Sequence, residues 1–435
     1  MALNGAALEN AIRFVEVLQR TETYSAARMQ AYQRSLLDRL IRHAKAEVPF
    51  YATRLDPLFG PDDTIRWEAW SDIPTFARTE AQEAGEALFA SSTPPETGSY
   101  SNGLSSGSTG MPLRTRTSTL MSLMSASINQ RFFNWHGINT DERICFILDT
   151  HSNYPYPDGK EGADWNLINQ TAPGFNLSIG YSAEQQVDWI IRRQPGLLCT
   201  FPRNGQAIVE TFLQQQIPIP FHTMLVLGEV LEPDTRHIIN EAGIKVIDRF
   251  GTTETGPLSA QCTQGPWHHQ FSEIALMETL SPDDGKVVNH GRGQLVVTPF
   301  YNYAMPLIRY KNGDLVDLSA TPCPCGRTLP RIERILGRER NLITLSDGSR
   351  IWPNMMRTEY EPFLSAKQFQ VIQHTPTRLE VRYVADDASH APDLEGLTTL
   401  LQNKLHWDIT VELTQVPKLA RSASGKFETW ISHVK

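Results

Sequence analysis

Apolar and polar positions change their spacing several times along the chain, and those changes divide it into segments. Over the first 50 residues apolar side chains recur three and four apart, as at Leu36, Leu37, Leu40 and Ile41, which predicts amphipathic helices. Residues 84–103 are rich in Ser, Thr, Pro and Gly and predict loop. From 142 onward short apolar runs alternate with helical patterns. ERICFIL (142–148), GLLCTF (196–201), HTMLVLG (222–228) and IKVIDRFG (244–251) are predicted strands. VDWIIRRQ (187–194), GQAIVETFLQQ (205–215) and EPDTRHIINEAG (232–243) are the helices between them. Such alternation gives a parallel sheet covered by helices, with the loops after the strands gathered on one functional edge.

After residue 290 the pattern turns to hairpin-like strands, GQLVVTPF, then LIRY, then LVDL. Beyond 340 a smaller unit follows. LITLSDGSRIW reads as a hairpin around Asp347-Gly348, FQVIQHTPTRLEVRYVA as a strand pair, LEGLTTLLQNKL as a helix and ITVELTQV as a strand. The expected fold class is α/β, a large domain with mixed and parallel sheets and covering helices, followed by a small α+β domain. A length of 435 residues also exceeds one ordinary core.

Charge narrows the function. A formal net charge of −8, with no basic stripe interleaved with aromatics, argues against a general nucleic-acid or acidic-membrane partner. The opening MALNGAALENAIRFVEVLQR has a helical period without signal-peptide layout, and no apolar run approaches a membrane span. The five cysteines, Cys145, Cys199, Cys262, Cys323 and Cys325, are too few for a disulfide framework, so a soluble protein of the reducing cytoplasm is expected.

Four stretches carry candidate chemistry. LSSGSTGMP (104–112) is either a slack linker or a backbone cradle for phosphate, because Gly107 and Gly110 permit close approach and the hydroxyls add donors. It is not a Walker loop, since no GK[ST] follows. DRFGTTETG (248–256) follows a predicted strand and offers hydroxyls and one carboxylate, suited to Mg²⁺ at phosphate oxygens or to a helix N-terminus. In PLIRYKNGDLVDL (306–318), Asp314 is an acceptor for a ribose diol or part of a plain hairpin turn. RSASGKFETWI (421–431) places Lys426 on a glycine turn near the end, where a solvated lysine is the bland alternative.

Their order and spacing resemble the adenylate-forming enzymes, and within them the phenylacetate–CoA ligase and capsule-biosynthesis (CapK-like) branch. LIRHAKAEVPFYATRL, SSGSTG, LGE (227–229), FGTTE, PLIRYKNGDL, CPCGRTLPRIERILGR and SGKF carry the likeness over nearly the whole chain. The resemblance implies that Ser106, Gly107, Ser108, Thr109 and Gly110 hold the β- and γ-phosphates of ATP. Gly228, Glu229, Phe250, Gly251 and Thr252 would line the adenine and α-phosphate edge. Thr253 would touch the α-phosphate, Glu254 would bind Mg²⁺, Asp314 would grip the ribose with support from Arg338, and Lys426 would bridge substrate carboxylate and α-phosphate. It further implies a junction in GRERNLI (337–343), dividing the chain into an adenylation domain over 1–336 and a mobile domain over 337–435.

The implied reaction converts a carboxylic acid, aryl or arylacetic, to acyl-AMP with pyrophosphate release, then passes the acyl group to coenzyme A. Variants pass it to an amine or a carrier-protein thiol, and a non-catalytic nucleotide-binding protein on the same scaffold is a separate class. A homodimer is common among such proteins. Tyr154 and Tyr156 are either an aromatic wall of the acid pocket or ordinary loop aromatics. Two departures stand out. The family often has an acidic pair after GRx, where this chain has Arg340 and Asn341, and a lysine after the loop's last glycine, where it has Met111. Either Arg114 or Arg116 supplies that cation, or pyrophosphate is held more loosely.

CPCG (323–326) and QCTQGPWHHQ (261–270) supply three thiols and two histidines. Three Cys and one His make a structural zinc set, and buried thiols in a reducing compartment are the alternative. Some family members place a Cys–His pair and a CxCG turn at matching points, which implies Cys262, His269, Cys323 and Cys325 as ligands and leaves His268 aside. Cys145 and Cys199 fall in predicted buried strands and are expected to be packing residues.

Overall fold

The structure is a computed structural model and describes residues 5–105, 112–149, 154–162, 165–166, 172–282, 284–353, 355, 357–385, 391–422 and 425–434. Ser106, Gly107, Ser108, Thr109, Gly110 and Met111 therefore lie outside the described residues.

Five strands run parallel in the order β2–β1–β3–β4–β5: β1 (Ile144–Asp149), β2 (Gly174–Ser178), β3 (Leu197–Thr200), β4 (Thr223–Leu227) and β5 (Lys245–Thr252). Their neighbouring side chains divide between two cores. Cys145, Leu198, Met224 and Val226 pack against Trp189 and Ile190 of α4 (Ala183–Arg193) and Ile208 and Phe212 of α5 (Pro202–Gln214). Ile144, Leu197, Leu225 and Ile247 face the other way, onto Leu18 of α1 (Gly5–Thr21) and Met124 and Phe132 of α3 (Thr119–His136). Burial on both faces is why these strands read as unbroken apolar runs. Cys145 and Cys199 are fully buried there, and burial pushes the Cys199 thiol up to about 11. The helix α2 (Ala26–Glu47) begins at Ser25, whose side chain accepts the Arg28 N–H, and α4 begins in a capping box of Ser182 and Gln185.

From β5 the sheet continues with antiparallel strands. These are β6 (Gly256–Gln261) and β7 (His268–Gln270), then β11 (Arg331–Arg338), β10 (Tyr310–Ser319), β9 (Gly291–Pro299) and β8 (Ala275–Leu280). Here the sequence expectation needs three corrections. LIRY and LVDL are not separate strands, because β10 runs unbroken from Tyr310 to Ser319. Its Asn-Gly-Asp is no hairpin turn; Gly313 takes φ +82° where the register against β9 slips, so the glycine absorbs an irregularity within the strand. The GTTE segment does not open a helix, since β6 returns antiparallel directly after it. In addition, the end of the expected 84–103 loop is strand: Tyr100–Ser105 pairs antiparallel with Leu113–Ser118. All but one residue of its first strand is exposed, so no apolar alternation betrays it.

The C-terminal unit has its own four-stranded sheet, in the order β14–β13–β12–β15: β12 (Ala366–Thr375), β13 (Arg378–Ala385), β14 (Thr410–Gln415) and β15 (Trp430–Ser432). Phe369, Val371, Val381 and Trp430 pack there with Leu397 and Leu401 of α6 (Leu394–Leu405). Among the described residues, no helix is long and apolar enough to cross a membrane.

Among the described residues, the most deeply buried ion pair of the large unit joins α3 to Glu273. Arg131 of α3 grips Glu273 bidentately at 2.6 and 3.3 Å, and Thr21 at the end of α1 donates to the same carboxylate at 2.7 Å. The pair is 1% and 0% exposed, so neither charge has water to fall back on. Glu273→Gln should therefore cost about 3–5 kcal/mol in urea denaturation, from an uncompensated Arg131. Arg378→Ala, at a pair about half exposed, should cost under ~1 kcal/mol. Equal losses for the two variants would show that the buried pair carries no special weight.

Candidate active site

Beyond the C-terminal ends of β4 and β5 a cleft of about 1370 Å³ opens against the C-terminal unit, and Gly228, Glu229, Phe250, Gly251, Asp314, Arg338 and Lys426 line it. Gly228 follows β4 with φ +82°. A Cβ there would stand 3.1 Å from Lys426 Cε and 3.0 Å from the Phe201 ring, so the glycine leaves the space that the lysine stem fills. Glu229 comes next. Its Oε1 accepts the Phe427 N–H at 2.6 Å and its Oε2 the Arg203 N–H at 3.4 Å. Burial pushes this carboxyl above the ordinary glutamate range, against the pull of those two amides.

Asp314 is buried at 5% exposure and is held on two sides, by Asn312 Nδ2 at 2.7 Å and Arg338 Nε at 2.9 Å. Asp314 in turn holds the Arg338 guanidinium above its ordinary value. Lys426 follows Gly425, which takes φ +79° in the turn closed by Ser422. Its ammonium is lowered, first by burial and second by the Arg338 charge, while Asp314, Glu229 and Glu254 oppose the shift. A lysine from the last ten residues thus meets a carboxylate and an arginine from β10 and β11.

The GTTE turn stands beside this group. A Cβ on Gly251 would come 2.5 Å from the Gly256 carbonyl, so only glycine lets β5 and β6 close here. The Thr252 and Thr255 hydroxyls bond each other at 2.8 Å, and Thr253 is exposed. Glu254 is buried and accepts from Arg78 Nη1 and Tyr310 Oη, both at 3.3 Å and both on Oε1. Neither Thr253 nor Glu254 is part of the cleft lining, although Glu254 lies close enough to bear on Lys426 and Asp314.

Arg78 escaped the sequence reading. Its Nη2 donates to Ser105 Oγ at 2.6 Å, at the foot of the glycine-rich stretch, so one guanidinium joins that stretch to Glu254. The only signal is an arginine opening the short helix Arg78–Ala84. Arg114 and Arg116, expected to replace the loop lysine, are instead engaged with Glu86 at 3.1 Å and Asn102 at 3.2 Å. Tyr156 donates to Asp188 on the outer face of α4 and stacks near Tyr181; neither it nor Tyr154 lines the cleft.

At the end of β11 the chain passes into the C-terminal unit. Gly337 takes φ +124°, and the Trp352 ring stands 2.1 Å from where its Cβ would be. Glu339 accepts from Gln294 of β9 and, at 2.8 Å, from Arg350. Arg340 donates to Glu428.

On the far side of β6, Cys262, His269, Cys323 and Cys325 bring one ligand atom each within 4.8 Å of one another. Cys262 and Cys323 sulfurs are 3.6 Å apart, and His269 Nε2 is 3.2 Å from Cys325 Sγ. His269 Nδ1 faces the Leu329 carbonyl at 3.1 Å, which suits the tautomer protonated on Nδ1 and leaves the Nε2 lone pair toward the thiols. His268 points the other way, to Ser259 at 3.1 Å and Asp248 at 3.2 Å, so the choice between adjacent histidines follows from strand alternation.

No family model matches the chain. It is 27% identical over 354 residues to the phenylacetate-coenzyme A ligase of Thermus thermophilus, covering 77% of this chain and 76% of that protein. It is also 27% identical over 359 residues to the Escherichia coli phenylacetate-coenzyme A ligase, covering 79% and 78%. The chain is a homologue of the phenylacetate–coenzyme A ligases. Among solved structures, 2-hydroxyisobutyryl-CoA ligase in the postadenylation state, in complex with an acyl-AMP, superposes with TM-score 0.75 at 21% identity, over 96% of this chain and 92% of that one. The same ligase with acyl-AMP and CoA in the thioesterification state gives TM-score 0.62 at 22% identity, over 95% and 91%. The large unit with a small α+β unit following it is thus the fold of the adenylate-forming CoA ligases.

Proposed function

We propose that this protein activates a carboxylic acid, aryl or arylacetic, with ATP and hands the acyl group to coenzyme A. The observation that carries this reading is the approach of Lys426 to Gly228 beside Asp314 and Arg338, in a chain homologous to phenylacetate–coenzyme A ligases. In the first step a substrate carboxylate oxygen attacks the α-phosphorus and the bond to the β-phosphate breaks, with pyrophosphate leaving with the electron pair. Two anions must meet, and more charge builds on the leaving group. Lys426 supplies a positive charge between carboxylate and α-phosphate, in a site that excludes much of the water that would screen it. Asp314, held by Arg338 and Asn312, accepts from the ribose hydroxyls. Phe250 and Gly251 offer a flat, close edge for adenine. Glu254 would hold a Mg²⁺, which supplies neutralisation of phosphate oxygens. In the second step the thiol sulfur attacks the acyl carbon, AMP leaves, and the thiol proton passes to solvent. The residues 1–336 and 337–435 form the two bodies whose relative motion separates these steps, with the junction in 337–343.

We further propose a structural zinc at Cys262, His269, Cys323 and Cys325. Tetrahedral Zn–S bonds of about 2.3 Å put two sulfurs about 3.8 Å apart, close to the 3.6 Å between Cys262 and Cys323. N–H donors from Gln264 (3.4 Å) and Trp267 (3.2 Å) reach Cys262 and Cys323 sulfur, as suits thiolates. With four protein ligands there is no open position, so the ion would brace the sheet and take no part in the reaction.

Incubation with ATP, Mg²⁺ and a panel of aryl and arylacetic acids should release pyrophosphate, and coenzyme A should yield the thioester by mass analysis; amines or carrier protein in its place should not. Lys426→Ala should lower pyrophosphate release by about 10²–10³-fold while ATP binding by calorimetry changes little. Undiminished release would remove the lysine from the mechanism. Because burial lowers Lys426 and only the charged form serves, adenylation should fall with rising pH from below the ordinary lysine value of about 10.4. Lys426→Arg should move that alkaline limb upward. For the metal, elemental analysis should give one zinc per chain, Cys323→Ser should abolish it, and a chelator should lower the melting midpoint of the parent alone.

A further inference from the structure

Three consecutive residues at the end of β11 each grip a different segment. Arg338 holds Asp314 of β10, Glu339 holds Gln294 of β9 together with Arg350, and Arg340 holds Glu428. Glu428 stands two residues beyond Lys426. Its backbone carbonyl accepts from Gln370 of β12 at 2.8 Å, and the intervening Phe427 donates its N–H to Glu229 at 2.6 Å. The segment carrying the lysine is therefore tied to the large unit through Phe427, to the small sheet through the Glu428 carbonyl, and to the junction through the Glu428 side chain.

The sign of residue 340 decides what that last tie does. An acidic residue there, the type the family resemblance leads one to expect, would face Glu428 with like charge and push the lysine segment away. Arginine reverses the sign. Both side chains are less than one third exposed, so the charge-assisted bond is only partly screened. Glu428 has no part in holding nucleotide in the scheme above, and neither has Arg340.

We propose that Arg340 and Glu428 are positioning residues, which seat Lys426 in the cleft for acyl-AMP formation and act in that half-reaction only. The proposal rests on the acyl-AMP reading. In this chain a charge pair in the junction takes over the orientation of the catalytic segment, and its partners act through Lys426 without touching substrate.

The two half-reactions separate the possibilities, with phenylacetate as the probe acid and phenylacetyl adenylate supplied for the second. Arg340→Gln and Glu428→Gln should each lower pyrophosphate release by about 10- to 100-fold. Thioester formation from the supplied adenylate should stay within about twofold of the parent. The reversed pair, Arg340→Glu with Glu428→Arg, should recover most of the lost rate. Hydrogen exchange on the ligand-free protein should show the Phe427 amide opening faster in both single variants and slowed again in the reversed pair. Equal loss of both half-reactions, no recovery in the reversed pair, or unchanged Phe427 exchange would each overturn the proposal. A parent protein that releases no pyrophosphate from any acid would overturn the acyl-AMP reading instead, while exchange still decides whether the pair seats the segment.

Discussion

The arrangement of the cleft depends on a half-buried carboxylate satisfied by backbone amides. Glu229 sits at the end of a parallel strand and takes the Phe427 N–H from nearly two hundred residues later in the chain. Taking that carboxylate out of water is costly unless both amides stay in place, so the contact fixes the segment carrying Lys426 against the C-terminal end of β4. Lys426 follows from it. The lysine is the residue before Phe427, and its stem lies against Gly228. A strand end, a glycine and a carboxylate thus set the position of a charge that the small unit delivers.

Much of the fold was legible because burial writes itself into composition. Strands β1, β3, β4 and β5 read as apolar runs since both faces are covered, and the helices between them carry one apolar stripe each. The hairpin Tyr100–Ser105 with Leu113–Ser118 was not legible: its first strand is exposed except for Ser105, and the buried positions of its second strand, Leu113, Thr115 and Ser118, are mostly polar. The Asn-Gly-Asp of β10 misled for a related reason, because a glycine at positive φ serves a bulge as readily as a turn.

The site divides in the same way. Gly228, Glu229, Asp314, Arg338 and Lys426 were singled out by motif and meet in one cleft, and Cys262, His269, Cys323 and Cys325 meet behind it. Arg78 was invisible, since nothing in a lone arginine at a helix start tells that its guanidinium spans Ser105 and Glu254. Tyr154 and Tyr156 do not line this cleft, and Tyr156 instead bonds Asp188. The Cys–His group also extends what the sheet can hold. Just beyond Cys325, Arg327 and Thr328 reach Glu22 and Tyr24, so the same turn anchors the link between α1 and α2.

Gly337 and Trp352 carry one more consequence. The indole occupies the volume that any other residue at 337 would need, and it does so at the point where the chain crosses from one body to the other. The proposed turn of the small body about that point would lift the ring off the glycine and wet it. Nine tryptophans emit together, so the share of this ring is the difference between the parent and Trp352→Phe, and that difference gauges the crossing.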